Sequence, residues 1–542
     1  MKKTLTTVSI TSSSEPTALH AAEEFAKYLQ MKGVDTSADG YQISIVVDVS
    51  MEEDSYKIEA TESGMTIKGD NTGVLYGVYN FLEAYAGIRF FTPTLELCPT
   101  GEITIPYGLV LEHSPAMKAR RLSWHSIRTD ADWCVKNGIN NCDAALTEEL
   151  GGQRFNYGKL FVHTVNILAE TTYPYPAYGT NPCVTDPEVL ATVIKNVRKA
   201  LEENPKINIV SVSQNDFEGH CQCPNCRKIE EEDESPAGPF LRFVNKIAED
   251  IATDYPHVTV DTLAYKYTQK APKVTRPREN VCIRLCSINC CFTHPLDNTS
   301  CHNGKKFYDD LVGWGKICDK IHIWDYTTNF HYYLSTFANL GVLHKNMKFF
   351  AENHVVSMFP QGNSQGASGE FGELRAYLLA KLMWDPYMSE ETYYTHMDEF
   401  LAAYYGAGWK NIRKFIDKTT ELAANGGYRI NKDETEGDAV CGQGIYGHPF
   451  TAITRGEYLE NEALFDELWN NAERLAGDRL EAVKRSKMQW RLTKLFLRPN
   501  AEDAQKLIDD AKAAGVVWKE GQFNVQPESD LSQSPYFWKY GK

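Results

Sequence analysis

Asn215 and Asp216 stand side by side where an apolar run, 207–212, gives way to polar residues in the stretch INIVSVSQNDFEGHCQCPNC (207–226). An amide beside a carboxylate suits cleavage of sugars that carry a 2-acetamido group. Breaking a glycosidic bond needs a proton donor near the leaving oxygen and a group that stabilises an oxocarbenium-like centre. When the sugar's own acetamido oxygen attacks, the protein only orients and polarises that amide. On this reading Asp216 gives the proton and Asn215 holds the acetamido group. Glu218, Asp325, Glu370 and Glu373 compete for the donor's part. The donor is the carboxyl whose pKa burial raises, and residue types do not reveal it. The plainer alternative is a polar turn built from Asn and Asp.

Three cysteines follow at C-x-C-x2-C spacing: Cys221, Cys223 and Cys226. With a fourth ligand such as Cys183, His220, Cys290 or His294 they make a structural zinc site. Free thiols or a disulfide within the loop are the alternative. Three thiolates without a histidine–carboxylate set do not make a hydrolytic zinc, so no catalytic cofactor is expected. No G-x-S-x-G, Walker loop or H-E-x-x-H is present, which weakens esterase, nucleotide and zincin readings.

These residues need elements to hold them. The run 207–212 is apolar and β-branched and reads as a buried strand. The C-terminal lip of such a strand is where barrel enzymes keep their chemistry. From Pro115 onward strands alternate with helical segments, as in βα units. Strands are expected over 119–125, 155–162, 207–212, 258–265, 281–288, 320–324 and 355–359, with an eighth suspected. Helices are expected over 187–203, 240–255, 307–318, 334–353 and 369–383. The pattern predicts an α/β fold whose centre, 113–390, is a (β/α)8 TIM-type barrel. A doubly wound open sheet is the alternative, but no G-x-G-x-x-G follows a strand. In a barrel the strand ends converge. Trp124, His125, His163, Tyr265, Asn289, Asp325 and Tyr326 would then line the substrate site around Asn215 and Asp216, with Gln361 nearby. Any one of these alone is more often a core or rim residue.

Residues 1–112 read as a small α/β domain. Leu19, Ala22, Phe25, Ala26 and Leu29 form one helical stripe, 43–47 is a strand, and 56–60 with 64–68 is a hairpin. In GDNTGVLYGVYNFLEAYAGIRFFTP (69–93) a turn leads into a short helix that ends near Gly87. Residues 391–542 read as helical, with a long amphipathic segment over 459–496, packed on the barrel or partly covering its mouth.

Composition sets the bounds. A chain of 542 residues exceeds one ordinary core. No apolar run reaches the roughly 20 residues of a membrane helix. A net charge of -16 without a Lys/Arg-rich run argues against a nucleic-acid partner. The 10 Trp and 29 Tyr offer faces on which sugar rings stack, and the 14 Cys are spread out rather than packed into a disulfide scaffold. The opening MKKTLTTVSITSSSEP is basic like a signal peptide but lacks its apolar region.

Two resemblances add to this. Gly69, Gly73, Tyr76, Phe81, Leu82 and Glu83, then Gly87 to Phe91 and Pro93, resemble the domain placed before the barrel in family 20 hexosaminidases and α-glucuronidases, where it buttresses the barrel. The runs V-S-Q-N-D-x-x-x-x-C-x-C-P-x-C (212–226), F-L-R-F-V-N-K-I-A-E (240–249), T-L-A-Y-x-Y-T (262–268) and E-L-R-A-Y-L-L-A-K-L-M-W-D-P (373–386) resemble the "domain of unknown function 4838" proteins. That family includes glycoside hydrolase family 163 and is common in gut Bacteroidetes. The resemblance implies an endo-β-N-acetylglucosaminidase that cuts the core of N-glycans by retaining, acetamido-assisted chemistry, with a glycan or glycoprotein as substrate. It also implies a periplasmic or cell-surface location, from which the missing signal region departs. An exo-acting hexosaminidase or α-glucuronidase, with Arg128 beside a uronic carboxylate, is the second expectation. A silent glycan-binding barrel is the third. The oligomeric state is open.

Overall fold

The computed structural model describes residues 2–171, 181–426 and 443–521. The N-terminal part is a six-stranded sheet in the order Val110–His113, Tyr56–Ala60, Gly64–Gly69, Tyr41–Val47, Thr7–Ser12 and Asp35–Thr36. The expected hairpin is present, with Ile58 facing Ile67. Helices Pro16–Met31 and Gly73–Tyr85 bury Phe25, Leu29, Phe81 and Leu82 against the sheet and each other. Close backbone approach explains the glycines of the 69–93 motif. A Cβ on Gly73 would lie 1.9 Å from the Ser55 carbonyl oxygen, and one on Gly69 2.5 Å from the Gly73 backbone. Any side chain at either position pushes the helix off the sheet.

Ion pairs tie this sheet to the centre of the chain. Arg120 donates to Asp54 at 2.8 Å, and Arg154 reaches Asp54 at 2.7 Å and Asp70 at 3.1 Å. Lys381 pairs with Glu83. Arg120 and Asp54 are almost fully buried, so losing one partner strands the other's charge.

The central sheet is parallel and has six strands. Their order is Ala119–Arg120, Val355–Gln361, Ile321–Tyr326, Val281–Cys286, Thr259–Ala264 and Ile209–Ser211. The last strand in the chain therefore pairs with the first, as in a sheet curving toward closure, and the regular ladder forms a half-barrel. Helices including Pro187–Glu203, Ala237–Ile251, His302–Gly315, Leu343–Glu352 and Gly372–Trp384 alternate with the strands.

Three expectations need correction. Residues 155–162 are not a strand. Gly158 takes a positive φ of 58°, and the Asn156 side chain accepts from the Gly158 N–H at 2.9 Å, which bends the chain into a turn. Its carbonyls still receive Ile209 and Ser211 N–H groups, Asn156 at 3.4 Å and Leu160 at 3.1 Å. The strand expected over 119–125 stops at Arg120 because the chain turns at Trp124, whose carbonyl accepts from Ile127 and Arg128. Beyond it only a single bridge joins Arg121 to Asn141. Residues 334–342 are irregular, and the helix begins at Leu343.

The C-terminal part is helical. The segment expected as one long helix divides into Arg455–Glu460, Glu462–Leu475 and Leu480–Leu497, broken at Asn461 and at Gly477, which has φ 57°. Among the described residues no helix is long and apolar enough to cross a membrane.

Candidate active site

At the C-terminal ends of the parallel strands lies a cavity of about 210 Å³. Val162, His163, Asp216, Leu263, Tyr265, Cys286, Ile288, Trp324, Tyr326, Phe330, Gln361, Tyr446 and Glu520 line it. The lining follows from strand periodicity. Trp324 and Tyr326, two residues apart, share the inner face. Trp324 is fixed by its indole N–H, which donates to Gln361 at 2.8 Å.

Asp216 is the most directly engaged carboxylate. Its Oδ1 accepts from the Tyr265 hydroxyl at 2.9 Å and pairs with Lys266 Nζ at 2.9 Å. Burial works to raise its pKa, but the bonds from Lys266 and Tyr265 outweigh it and hold the carboxyl below its usual range. Burial, with Asp216's charge and hydrogen bond behind it, pushes the Tyr265 phenol up, so that it stays a donor. Beneath them Gln214 is fully buried and donates to the Tyr265 carbonyl at 2.9 Å and to Thr268 Oγ1 at 2.6 Å. Thr268 in turn accepts from the Tyr265 N–H at 3.1 Å. His163 Nδ1 lies 2.7 Å from the Gln214 carbonyl, which fixes the Nδ1–H tautomer and leaves Nε2 free of that bond. His163 and Lys266 have φ of 52° and 53°, two of the six described non-glycine residues in the left-handed region. Strain of this kind costs energy and persists where the surroundings enforce it.

Glu520 faces the same cavity from the C-terminal part. Its N–H donates to the Phe330 carbonyl at 2.8 Å, and Tyr446 Oη donates to its carboxylate at 3.3 Å. Burial raises its pKa against the Tyr446 bond, and the nearby charge of Asp216 adds to the rise. The cavity thus holds two carboxyls pushed in opposite directions, the pattern that separates an acid from an ionised partner.

The expected residues divide. His163, Asp216, Tyr265 and Tyr326 meet in the cavity. The Asn215 side chain does not line it, and its N–H donates to Asn181 Oδ1 at 2.8 Å. Trp124 is buried beneath the loops, its ring packed where a Cβ on Gly362 would come within 2.2 Å. His125 and Asn289 are exposed and outside the cavity. Asp325 points to the opposite face of its strand from Trp324 and Tyr326. There Ser287 Oγ donates to it at 2.6 Å, and burial pushes its carboxyl up to about 6. Glu370 and Glu373 also lie outside the cavity: Glu370 is clasped by Arg375, and Glu373 accepts from Arg485 at 2.8 Å. Glu218 is exposed outside the cavity, and Arg128 pairs with Asp143 at 2.5 Å.

Sequence reading missed Lys266, Tyr446 and Glu520. Lys266 directly follows Tyr265, so the neighbouring position held a signal. Tyr446 and Glu520 sit in irregular segments without periodicity, far along the chain from the strands they cover.

Among the described residues, two groups of metal-type ligands lie outside the cavity. Cys183, Cys221, Cys223 and Cys226 bring their sulfurs together, and the buried Cys291, His294 and Cys301 bring two sulfurs and a ring nitrogen together. His220, Cys290 and His294 are not in the first group.

Several solved structures are similar at low identity. A GH138 enzyme targeting pectin rhamnogalacturonan II shares 12% identity over 98% of this chain and 97% of its own, with TM-score 0.46. Flavobacterium johnsoniae chitobiase shares 12% over 94% of each chain, with TM-score 0.45. A β-N-acetylhexosaminidase from Bacteroides fragilis shares 12% over 73% of this chain and 91% of its own, with TM-score 0.39. No curated protein matches the sequence. Residues 90–417 match the family model described as Domain of unknown function (DUF4838). That span is more than half of the chain and holds every strand of the parallel sheet, so the chain belongs to this family.

Proposed function

We propose that this chain is a glycoside hydrolase acting on 2-acetamido sugars, an endo-β-N-acetylglucosaminidase that cleaves the core of N-glycans with retention. The observation that carries the reading is the pair Asp216 and Glu520, one held ionised and one biased toward its proton, facing one aromatic cavity. In this reading Glu520 protonates the leaving oxygen. The sugar's acetamido oxygen attacks the anomeric carbon, and Asp216 accepts the acetamido N–H and balances the positive charge of the cyclic intermediate. Glu520, now a carboxylate, takes a proton from the water that opens the intermediate, and the two inversions give retention. Glu520 takes the donor's part that residue types suggested for Asp216, because Lys266 and Tyr265 favour an anion there. Trp324, Tyr326 and Tyr265 supply ring faces for the sugar.

We read the six parallel strands as the greater part of a (β/α)8 barrel. The rest of its wall would be the Asn141 bridge and the turn at 156–160. Family membership favours the endo activity and a periplasmic or cell-surface setting. One observation favours exo action instead: about 210 Å³ is below the roughly 300–1,000 Å³ typical of drug-sized ligand pockets and suits a single ring.

Mass spectrometry of glycans released from a high-mannose and a complex glycoprotein tests the reading, with wild type beside Asp216→Ala. Oligosaccharides ending in a single reducing N-acetylglucosamine, lost in the variant, support endo action. Free N-acetylglucosamine alone supports exo action. No release from these glycoproteins or from aryl N-acetylglucosaminides contradicts the glycosidase reading.

A further inference from the structure

The loop that carries Asp216 continues into a cluster of sulfurs. Cys221 and Cys223 lie in that loop, and Cys226 sits in the first turn of helix Pro224–Asp233. Cys183 comes from the segment that precedes helix Pro187–Glu203. The four Sγ atoms all lie within 4.8 Å of one another. Cys183 is 3.7 Å from Cys223 and 3.9 Å from Cys226. A disulfide requires about 2.0 Å, and all four cysteines are free. A tetrahedron of sulfurs around zinc, with zinc–sulfur bonds of ~2.3 Å, has edges of ~3.8 Å. The cluster therefore has the dimensions of a filled tetrathiolate site rather than of a cross-link.

Local geometry supports the same ion. Cys223 caps its helix, and its sulfur accepts the Cys226 N–H at 3.5 Å, so one turn presents two sulfurs to one point. Thr185 Oγ1 lies 3.5 Å from the Cys223 sulfur and 3.3 Å from that of Cys226, within reach to donate to a ligating thiolate. Unlike the buried cysteines of the sheet and its helices, three of these four are only partly buried. They contribute little packing where they stand.

The site has a mechanical consequence. Asn181, two residues before Cys183, accepts the Asn215 N–H at 2.8 Å and donates to the Gly219 carbonyl at 2.8 Å. The segment from Asn181 to Cys183 and the loop from Asn215 to Cys226 are thus stitched together on both sides of Asp216. We propose that Cys183, Cys221, Cys223 and Cys226 bind one structural zinc ion, which closes this stitch and positions the loop that bears Asp216. The zinc does no chemistry on substrate, and its four thiolates leave no open coordination position. The positioning role rests on the glycosidase reading, whereas the presence of the ion does not.

The test measures metal in the intact chain by inductively coupled plasma mass spectrometry, for wild type, the Cys183→Ser/Cys223→Ser double variant and Cys301→Ser. The last alters the separate Cys291–His294–Cys301 group and leaves this one intact. Wild type is expected to hold one more zinc per chain than the double variant, and Cys301→Ser is expected to keep the zinc of this site. Because the double variant can fail to fold, metal-free wild type is also titrated with Co²⁺ alone. Intense thiolate-to-cobalt charge-transfer bands with tetrahedral d–d bands are expected, saturating at this site and persisting in Cys301→Ser. Equal zinc in wild type and double variant, with no such bands, overturns the proposal, and iron in place of zinc overturns the choice of ion. A chain that holds the zinc yet cleaves no glycan leaves this site standing and removes only the glycosidase reading.

Discussion

Two sets of carboxylates near the sheet's C-terminal end invite comparison. Asp216 and Glu520 face an open cavity, and their partners are hydroxyls and a partly buried lysine. Glu370 and Glu373 lie just past the last strand and, by residue type, stand in reserve behind Asp216. They are buried among the C-terminal helices and neutralised by Arg375 and Arg485. The difference lies in what satisfies the charge. At Glu370 a buried guanidinium grips both carboxylate oxygens and leaves none for a substrate, and Glu373 is buried with one oxygen held by Arg485, whereas a carboxylate at a cavity wall keeps a face toward its ligand. Asp325 adds a third case: its pKa is raised to about 6, yet it faces away from the cavity. A shifted pKa thus marks function only together with position.

The comparison breaks most visibly at Glu370. Glu370→Gln removes one charge of a fully buried pair and strands Arg375. Chemical unfolding is expected to show a loss of about 3–5 kcal/mol. A loss below about 1 kcal/mol would mean that the pair is not structural. Asp216→Asn is expected to do the reverse. Activity falls roughly a hundredfold or more, while stability stays within about 0.5 kcal/mol because the side chain is 57% exposed.

Asp325 gives a pH test with a definite sign. Its folded pKa of about 6 lies above its ordinary value of 3.8. The folded state therefore binds more protons than the unfolded chain between those values. The stability this contributes is full at lower pH and is lost as pH rises through about 6. Asp325→Asn is expected to flatten that loss and to stabilise the protein above pH 6, on the order of 2–3 kcal/mol. Melting curves from pH 4 to pH 8 read this directly, and an unchanged slope would show that the carboxyl titrates normally.

The smallest expected effect is at Tyr446. Tyr446→Phe removes a donor that lowers Glu520's pKa. The alkaline limb of the rate profile should shift upward, with a loss of about tenfold or less. A downward shift would show that the hydroxyl does not act on Glu520.

Much of this arrangement was legible in residue order. The apolar runs around 207–212, 258–265, 281–288, 320–324 and 355–359 carry strands, because β-branched stretches between turn residues have few other stable states. Those ends placed Asp216, Tyr265 and Tyr326 together. Residues 155–162 failed because Asn156 and Gly158 prefer a turn that hydrophobic content alone does not reveal. Trp124 and Asp325 failed for different reasons. Trp124 lies in the turn beyond its short strand and packs into the core, whereas Asp325 lies in its strand on the face away from Tyr326, and one residue of register exchanges cavity for core. Glu520 and Tyr446 were out of reach, because no periodic signal links a C-terminal loop to a strand mouth.

The central claim is that one cavity holds two carboxyls pushed apart, Asp216 held below the usual carboxylate range and Glu520 raised above it. The pH dependence of kcat/KM for wild type and Glu520→Gln tests it most directly. The account predicts a bell for wild type. Its acid limb, set by Asp216, lies below the ordinary carboxylate range, and its alkaline limb, set by Glu520, lies above it. It predicts that Glu520→Gln is much slower and lacks the alkaline limb. A Glu520→Gln variant with the wild-type rate and both limbs would contradict it and return the search for the donor to Asp216 itself.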